Sequence, residues 1–201
     1  MFITIDGGDG SGKTTQQRLL YDWLQSLGRE VVLCRDPGGT RLGDKVREIV
    51  LGDGVNICGI SEMFLFMTAR AQLIDEVIRP ALDAGKDVIA DRFLVSNIVY
   101  QGYAGGMAIK DIELIGNVAT GGIKPDVAII LDIPCGVSVE RTGGRARDRM
   151  ERKGEEFHQK VRDGFLDYAK KNPEYVVLDA ISSIGIVEES IRNVISSRLG
   201  S

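Results

Sequence analysis

Histidine is almost missing from this chain of 201 residues. His158 is the only one, which excludes metal sites built from several histidines and leaves histidine catalysis a single candidate. It falls in a polar helical stretch and reads as a solvated surface position. Cysteine is scarce as well. Cys34, Cys58 and Cys135 are odd in number and far apart, so no disulfide framework is expected and a reducing, cytoplasmic location is. Positive charge is not in excess: 25 Lys and Arg face 29 Asp and Glu, for a net charge of −4. An extended nucleic-acid partner would call for a basic face, so none is expected. No apolar run approaches the roughly 18 residues of a membrane helix, so no membrane partner is expected. Nor is a secretory leader, because the first strand-like run reaches a glycine-rich loop within seven residues of Met1. Internal repeats, linkers and low-complexity tracts are missing too. What remains is ordinary in composition, 43% hydrophobic and 27% charged, long enough for one α/β domain over residues 1–201 and too short for two.

The glycine-rich loop is the most specific motif present. Phe2-Ile3-Thr4-Ile5-Asp6 reads as a buried strand, and Gly7-Gly8-Asp9-Gly10-Ser11-Gly12-Lys13-Thr14 follows the pattern G-x-x-x-x-G-K-[ST]. A helix-forming stretch begins at Lys13. Glycines let successive N–H groups turn inward around phosphate oxygens, and the helix behind them adds partial positive charge. Lys13 is placed to reach the β and γ phosphates of a nucleotide, and Thr14 to offer its hydroxyl to Mg2+. Gly7, Gly8, Asp9, Gly10, Ser11, Gly12, Lys13, Thr14 and Thr15 are therefore the expected nucleoside-triphosphate loop, which the family resemblance given below makes an ATP-binding one.

Strand-like runs recur at 2–6, 30–34, 87–91, 126–132 and 175–178. Helical patterns lie between them at 13–27, 41–51, 61–84, 107–120, 135–143, 154–172 and 183–198. This alternation predicts a five-stranded parallel sheet with helices on both faces, a three-layer α/β fold with ligands at the carboxyl ends of its strands. The phosphate loop, Arg35-Asp36-Pro37-Gly38-Gly39-Thr40 and Asp91-Arg92-Phe93 all fall at such ends. A further segment, 141–154, is densely charged and contains a glycine pair. Charge statistics alone make it a solvated helix connection. Phosphoryl transfer, however, needs positive charge over the moving group, and a mobile arginine lid supplies it. Arg145, Arg147 and Arg149 are the candidates. In a helical lid Arg145 and Arg149 share a face and Arg147 points away, whereas an extended lid puts all three on one side.

Among phosphate-loop classes, a dinucleotide-binding protein would need G-x-G-x-x-G, but Gly10-Ser11-Gly12 is followed by Lys13, Thr14 and Thr15. A GTPase switch would carry Asn-Lys-x-Asp after a late strand, and the 126–132 run leads instead into Ile133-Pro134-Cys135. A small-molecule kinase remains.

The phosphate loop with Asp9 inside it, Arg35 to Thr40, Phe66-Met67-Thr68-Ala69-Arg70, Asp91-Arg92, Tyr100-Gln101 and Arg145 to Glu151 resemble the thymidylate kinase family. They follow that family's order from the first strand to the Asp179-Ala180 turn. The resemblance implies a nucleoside-monophosphate-kinase-like fold, phosphoryl transfer from ATP to dTMP in dTTP synthesis, and a homodimer, for which the apolar-rich helix at 61–84 is a candidate seam. It also implies roles. Asp91 holds Mg2+ through water with Thr14, Arg92 clamps the acceptor phosphate, and Asp9 bonds the deoxyribose 3′-hydroxyl. Phe66 stacks on the base, while Arg70 and Asn97 meet its edge. Tyr100 crowds the sugar 2′ position. Arg141 lies against adenine, Asp148 and Glu151 lie near the acceptor, and Asp36 and Gln101 belong to acceptor-side motifs. From the residues alone, Phe66 and Arg70 on one helix face read as core with a snorkelling cation. Gly10 after Asp9, with arginines in the lid, resembles the bacterial-type arrangement. Phe93 and Met150 depart from the Tyr or His, and the Tyr, that many members carry. Two other readings stay open: a deoxynucleoside kinase with Asp36 as carboxylate base, and a non-catalytic ATP-dependent switch.

Overall fold

The first strand, β1 (Phe2–Gly7), is buried along its whole length and lies at the centre of the sheet. The structure, a computed structural model, describes residues 1–143 and 148–199. The other strands are β2 (Val31–Arg35), β3 (Asp87–Asp91), β4 (Val127–Asp132) and β5 (Tyr175–Asp179), all parallel in the order β2-β3-β1-β4-β5. The order reverses at β1, which leads to β2 on one side and is flanked by β4 on the other. A crevice must therefore open at its carboxyl end. The register fills that crevice: Asp91 pairs with Ile5 and with Arg35, so the ends of β1, β2 and β3 lie side by side.

Helices α1 (Lys13–Ser26), α2 (Arg41–Leu51), α3 (Gly59–Leu73), α4 (Arg79–Asp83), α5 (Leu94–Asn97), α6 (Ile109–Thr120), α7 (Cys135–Thr142), α8 (Glu155–Lys171) and α9 (Ile184–Leu199) connect the strands. Alternation along the strands divides the core. Ile3, Ile5, Ile129 and Leu131 pack with Leu20 and Leu24 of α1 and Val187, Ile191 and Ile195 of α9. On the opposite face Ile130 packs with Met63 and Met67 of α3, Ile98 and Tyr100 beyond α5, and Val161 and Phe165 of α8. Asp6 falls on this second side, toward α5.

Two differences from the sequence expectation concern the site. The helix expected at 61–84 begins at Gly59 and passes through a wider π-helical turn, Ile74–Ile78, before α4. A second helix, α5 continued by a π-helical segment Ile98–Tyr103, was not expected. Every residue from Val95 to Gly102 is buried, so the stretch carries no amphipathic period, and its β-branched residues carry no helical signal. In the wider turn the N–H of Ala104 reaches back five residues to the carbonyl of Val99, 3.0 Å away.

Candidate active site

The phosphate loop folds as its glycines require. Gly7 has φ +142° and lies so close to β4 that a Cβ would stand 2.4 Å from the carbonyl oxygen of Leu131. Gly10 has φ +74°, and a Cβ there would meet the Ser138 carbonyl and the Thr142 methyl of α7, both at 3.1 Å. A side chain would crowd α7 from a left-handed φ, which gives a local reason for glycine beside Asp9. Ser138 Oγ donates to the Asp9 carbonyl at 2.6 Å and fastens α7 to the loop. Lys13 is buried, with Nζ donating to the carbonyls of Gly8 at 2.7 Å and Gly7 at 3.2 Å. Burial pushes its ammonium down to about 8, and the nearby Arg92 adds to the effect.

The loop forms one wall of a cleft of about 500 Å³. Thr14 Oγ1 donates to Asp91 Oδ2 at 2.9 Å, so hydroxyl and carboxylate meet beside Lys13. Such a pair fits Mg2+, whose remaining ligands in phosphate-loop sites are nucleotide phosphates and water. Arg92 follows at φ +71°, a strained conformation for a residue with a Cβ. Its guanidinium donates to the Gly7 carbonyl at 2.9 Å and to Asp9 Oδ1 at 2.7 Å, and lies 5.3 Å from the Tyr100 ring centroid.

That strained turn is held by residues the sequence reading did not single out. Asp6 Oδ1 accepts from the Phe93 N–H at 3.1 Å and from Ser96 Oγ at 2.6 Å. Burial raises the Asp6 carboxyl above the usual carboxylate range, opposed by those hydrogen bonds. An acid inside a strand was the available signal.

Opposite the loop, Phe66 and Arg70 of α3 both line the cleft. Phe66 is only partly buried, whereas Arg70 is 1% exposed and donates from Nε to Asp36 Oδ2 at 2.5 Å. Asp36 is 3% exposed; burial raises its carboxyl and Arg70 opposes the shift. Phe93 lies behind the Arg70 guanidinium, 5.3 Å away, and packs edge-on against Phe2. Asn97, Tyr100 and Gln101 reach the same cleft from α5 and its continuation. The Tyr100 hydroxyl is buried and makes no hydrogen bond among the described residues. Arg47 of α2 also lines the cleft, where burial and the neighbouring Arg35 lower its guanidinium. A helical arginine usually reads as solvated, so no pattern marked it.

Beyond the loop, Arg141 donates to the carbonyls of Ala180 at 2.9 Å and Ile181 at 3.1 Å, which fixes its plane at the cleft edge. Arg145 and Arg147 lie outside the described residues. Asp148 and Glu151 line the cleft; Asp148 Oδ1 caps the N–H groups of Met150 at 2.8 Å and Glu151 at 2.9 Å. Arg149 stands apart from the expectation of a cation over the transferring group. Its N–H bonds the Leu51 carbonyl at 3.1 Å, Nε bonds the Val50 carbonyl at 2.8 Å, and the guanidinium pairs with Glu62. The open C-terminal carbonyls of α2 draw it there, away from the phosphate loop. His158 is partly buried, its ring 3.2 Å from the Glu151 carbonyl.

A phosphate loop facing an aromatic, arginine-lined wall across one cleft is the arrangement of a nucleotide kinase, and the relatives agree. The sequence model of the thymidylate kinase family matches residues 5–191. The chain belongs to that family. The thymidylate kinase of Thermoanaerobacter sp. (strain X514) is 41% identical over 199 residues, covering 98% of each chain. That of Thermosipho africanus (strain TCF52B) is 41% identical over 201 residues, covering both chains fully. Among solved structures, the thymidylate kinase of Ehrlichia chaffeensis superposes with a TM-score of 0.81 at 35% identity over 98% of each chain. The parallel sheet of this family member is thus the expected kinase fold. No described helix is long and apolar enough to cross a membrane.

Proposed function

We propose that this thymidylate kinase family member transfers the γ-phosphoryl group of Mg-ATP to dTMP, giving ADP and dTDP. The observation that carries the reading is the single cleft in which Lys13 and the Thr14–Asp91 pair face Arg92, Phe66 and Arg70. The acceptor would be a phosphate oxygen, largely ionised near neutral pH because the second pKa of a phosphomonoester is about 6. No strong base is required. Asp36, the base a deoxynucleoside kinase would use, is buried and engaged by Arg70, which favours base recognition over proton abstraction. Thr14 and Asp91 would hold Mg2+, which supplies charge neutralisation on the donor phosphates when bound.

The chain's own residues then act by position and charge. Lys13 and the loop N–H groups bind the donor phosphates, and Arg141 faces adenine. Arg92 and Arg47 hold the acceptor phosphate. Phe66 stacks on the base, Arg70 donates to an exocyclic carbonyl, Asn97 meets the base edge and Tyr100 closes the 2′ side. Asp9 bonds the 3′-hydroxyl, and Asp148 and Glu151 face the acceptor from the lid base. Arg145 and Arg147, in a lid over 141–154, supply charge above the moving group, while Arg149 anchors the lid. Closure would limit hydrolysis by excluding water. Assembly as a homodimer is supported by α3 and α6, which pack together and expose Phe64 at 50% and Val118 at 74%, with Ile60 and Leu114 beside them.

The test is ADP release across dTMP, dUMP, UMP, AMP, GMP and thymidine. The reading expects dTMP to be the best acceptor and thymidine to be inert. Phosphorylation of thymidine without dTMP would transfer the case to a deoxynucleoside kinase.

A further inference from the structure

Behind the acceptor pocket runs a chain of buried polar side chains whose direction is set from one end. Glu62, in the first turn of α3, is 4% exposed and set back from the cleft. One of its oxygens accepts from the Arg149 guanidinium. The other, Oε1, accepts from Gln101 Nε2 at 2.8 Å, with Lys153 Nζ 3.9 Å away. Gln101 Oε1 in turn accepts from Asn97 Nδ2 at 2.8 Å. Asn97 lines the cleft, and its Oδ1 has no donor among the described residues.

An amide can present either its oxygen or its NH2 group, and only its partners decide which. An ionised carboxylate can only accept. Glu62 therefore requires the NH2 group of Gln101, which turns the Gln101 oxygen toward Asn97. Asn97 must then spend its own NH2 on Gln101 and face the cleft with oxygen.

We propose that Glu62 is a specificity-determining positioning residue: through Gln101 it holds Asn97 as a hydrogen-bond acceptor, selecting pyrimidines that carry a proton on N3. Thymine and uracil have that N–H, whereas the N3 of cytosine is an acceptor and would face oxygen with a lone pair. The inference rests on the reading of dTMP as acceptor. A neutral group at position 62 would release the constraint. In Glu62→Gln the new side chain gives its oxygen to Arg149 and its NH2 to Gln101. Gln101 and Asn97 can then both reverse, and Asn97 offers NH2 to the cleft.

The experiment compares kcat/KM for dTMP and for the 5′-monophosphate of 2′-deoxyribosyl-pyrimidin-2-one. That base has a bare N3 and only hydrogen at C4, so Arg70 has no exocyclic group to read on it. Glu62→Gln should lower the preference for dTMP by a factor on the order of ten or more, the cost of one mismatched buried hydrogen bond, with the KM for ATP unchanged. Gln101→Met interrupts the chain without touching the Glu62–Arg149 pair and should also reduce the preference. A purely structural role would depress both substrates alike, and an unchanged ratio in the folded variants would overturn the proposal. Should Glu62→Gln fail to fold, the ratio in Gln101→Met decides. No activity of the unaltered protein on dTMP would sink the functional reading and the relay together, whereas an active parent with unmoved ratios sinks the relay alone.

Discussion

Lys13 makes nucleotide binding a proton-linked event above neutrality. In the free protein burial and Arg92 lower its ammonium to about 8, from an ordinary 10.5, while Nζ rests on two loop carbonyls. A triphosphate beside it restores the charged form. If the bound value returns to about 10 or above, binding must take up about 0.1 proton at pH 7, about 0.5 at pH 8 and about 0.9 at pH 9. Over the same interval the charged fraction of the free protein falls from about 0.9 to about 0.1, so affinity should drop about tenfold, near 1.4 kcal/mol. Stability runs the other way. The folded value lies below the unfolded one, so between about pH 8 and 10.5 the unfolded chain holds more protons and stability of the free protein rises with pH. Below pH 8 the charged, desolvated ammonium is a standing cost of up to about 3 kcal/mol. Lys13→Met should therefore melt higher than the parent at pH 7 while binding ATP poorly. The assay is calorimetric titration of ATP, without acceptor, in two buffers of different ionisation enthalpy. Affinity constant from pH 7 to pH 9 with no proton uptake would refute the reasoning.

Three further outcomes follow from the geometry. Arg92→Ala and Arg92→Gly should both cut turnover strongly, but the glycine variant, free of strain at φ +71°, should be the more stable by about 1 kcal/mol in denaturant unfolding; equal stabilities would remove the strain argument. Gly10→Ala should lower stability by about 1–2 kcal/mol and raise the KM for ATP, because the new methyl group meets Ser138 and Thr142 of α7; a silent variant would show that α7 yields freely. Among single alanine variants of the lid arginines, Arg145 and Arg147 should lose turnover with an unchanged melting temperature, whereas Arg149→Ala should also lose about 1–3 kcal/mol of stability, since Glu62 and the Val50 carbonyl lose their donor; identical melting curves for all three would contradict the anchoring role.

The fold class and the phosphate-loop wall of the cleft were legible in the residues themselves. A buried strand entering G-x-x-x-x-G-K-[ST] sets its own local geometry, since the turn, the helix start and the cradle all lie within eight contiguous positions, Gly7 to Thr14. Strand and helix periods likewise repeat locally, so the parallel sheet followed from them. The opposite wall of the cleft was named through the family resemblance alone, and only the tertiary structure gives it a physical reason. Residues 94–103 carry Asn97, Tyr100 and Gln101 on a helix buried from Val95 to Gly102, and a segment without a polar face has no period to read. Without the resemblance Phe66 reads as core, yet it lines the cleft, because the ends of β1, β2 and β3 leave a gap above it. Arg149 was expected to share a face with Arg145 in a helical lid, yet contacts with Val50, Leu51 and Glu62, roughly a hundred residues or more than eighty away along the chain, hold it against the end of α2. Whether a charge serves chemistry, anchorage or the polarity of a neighbour depends on which carbonyls and carboxylates the fold places beside it, and spacing along the chain does not encode those partners.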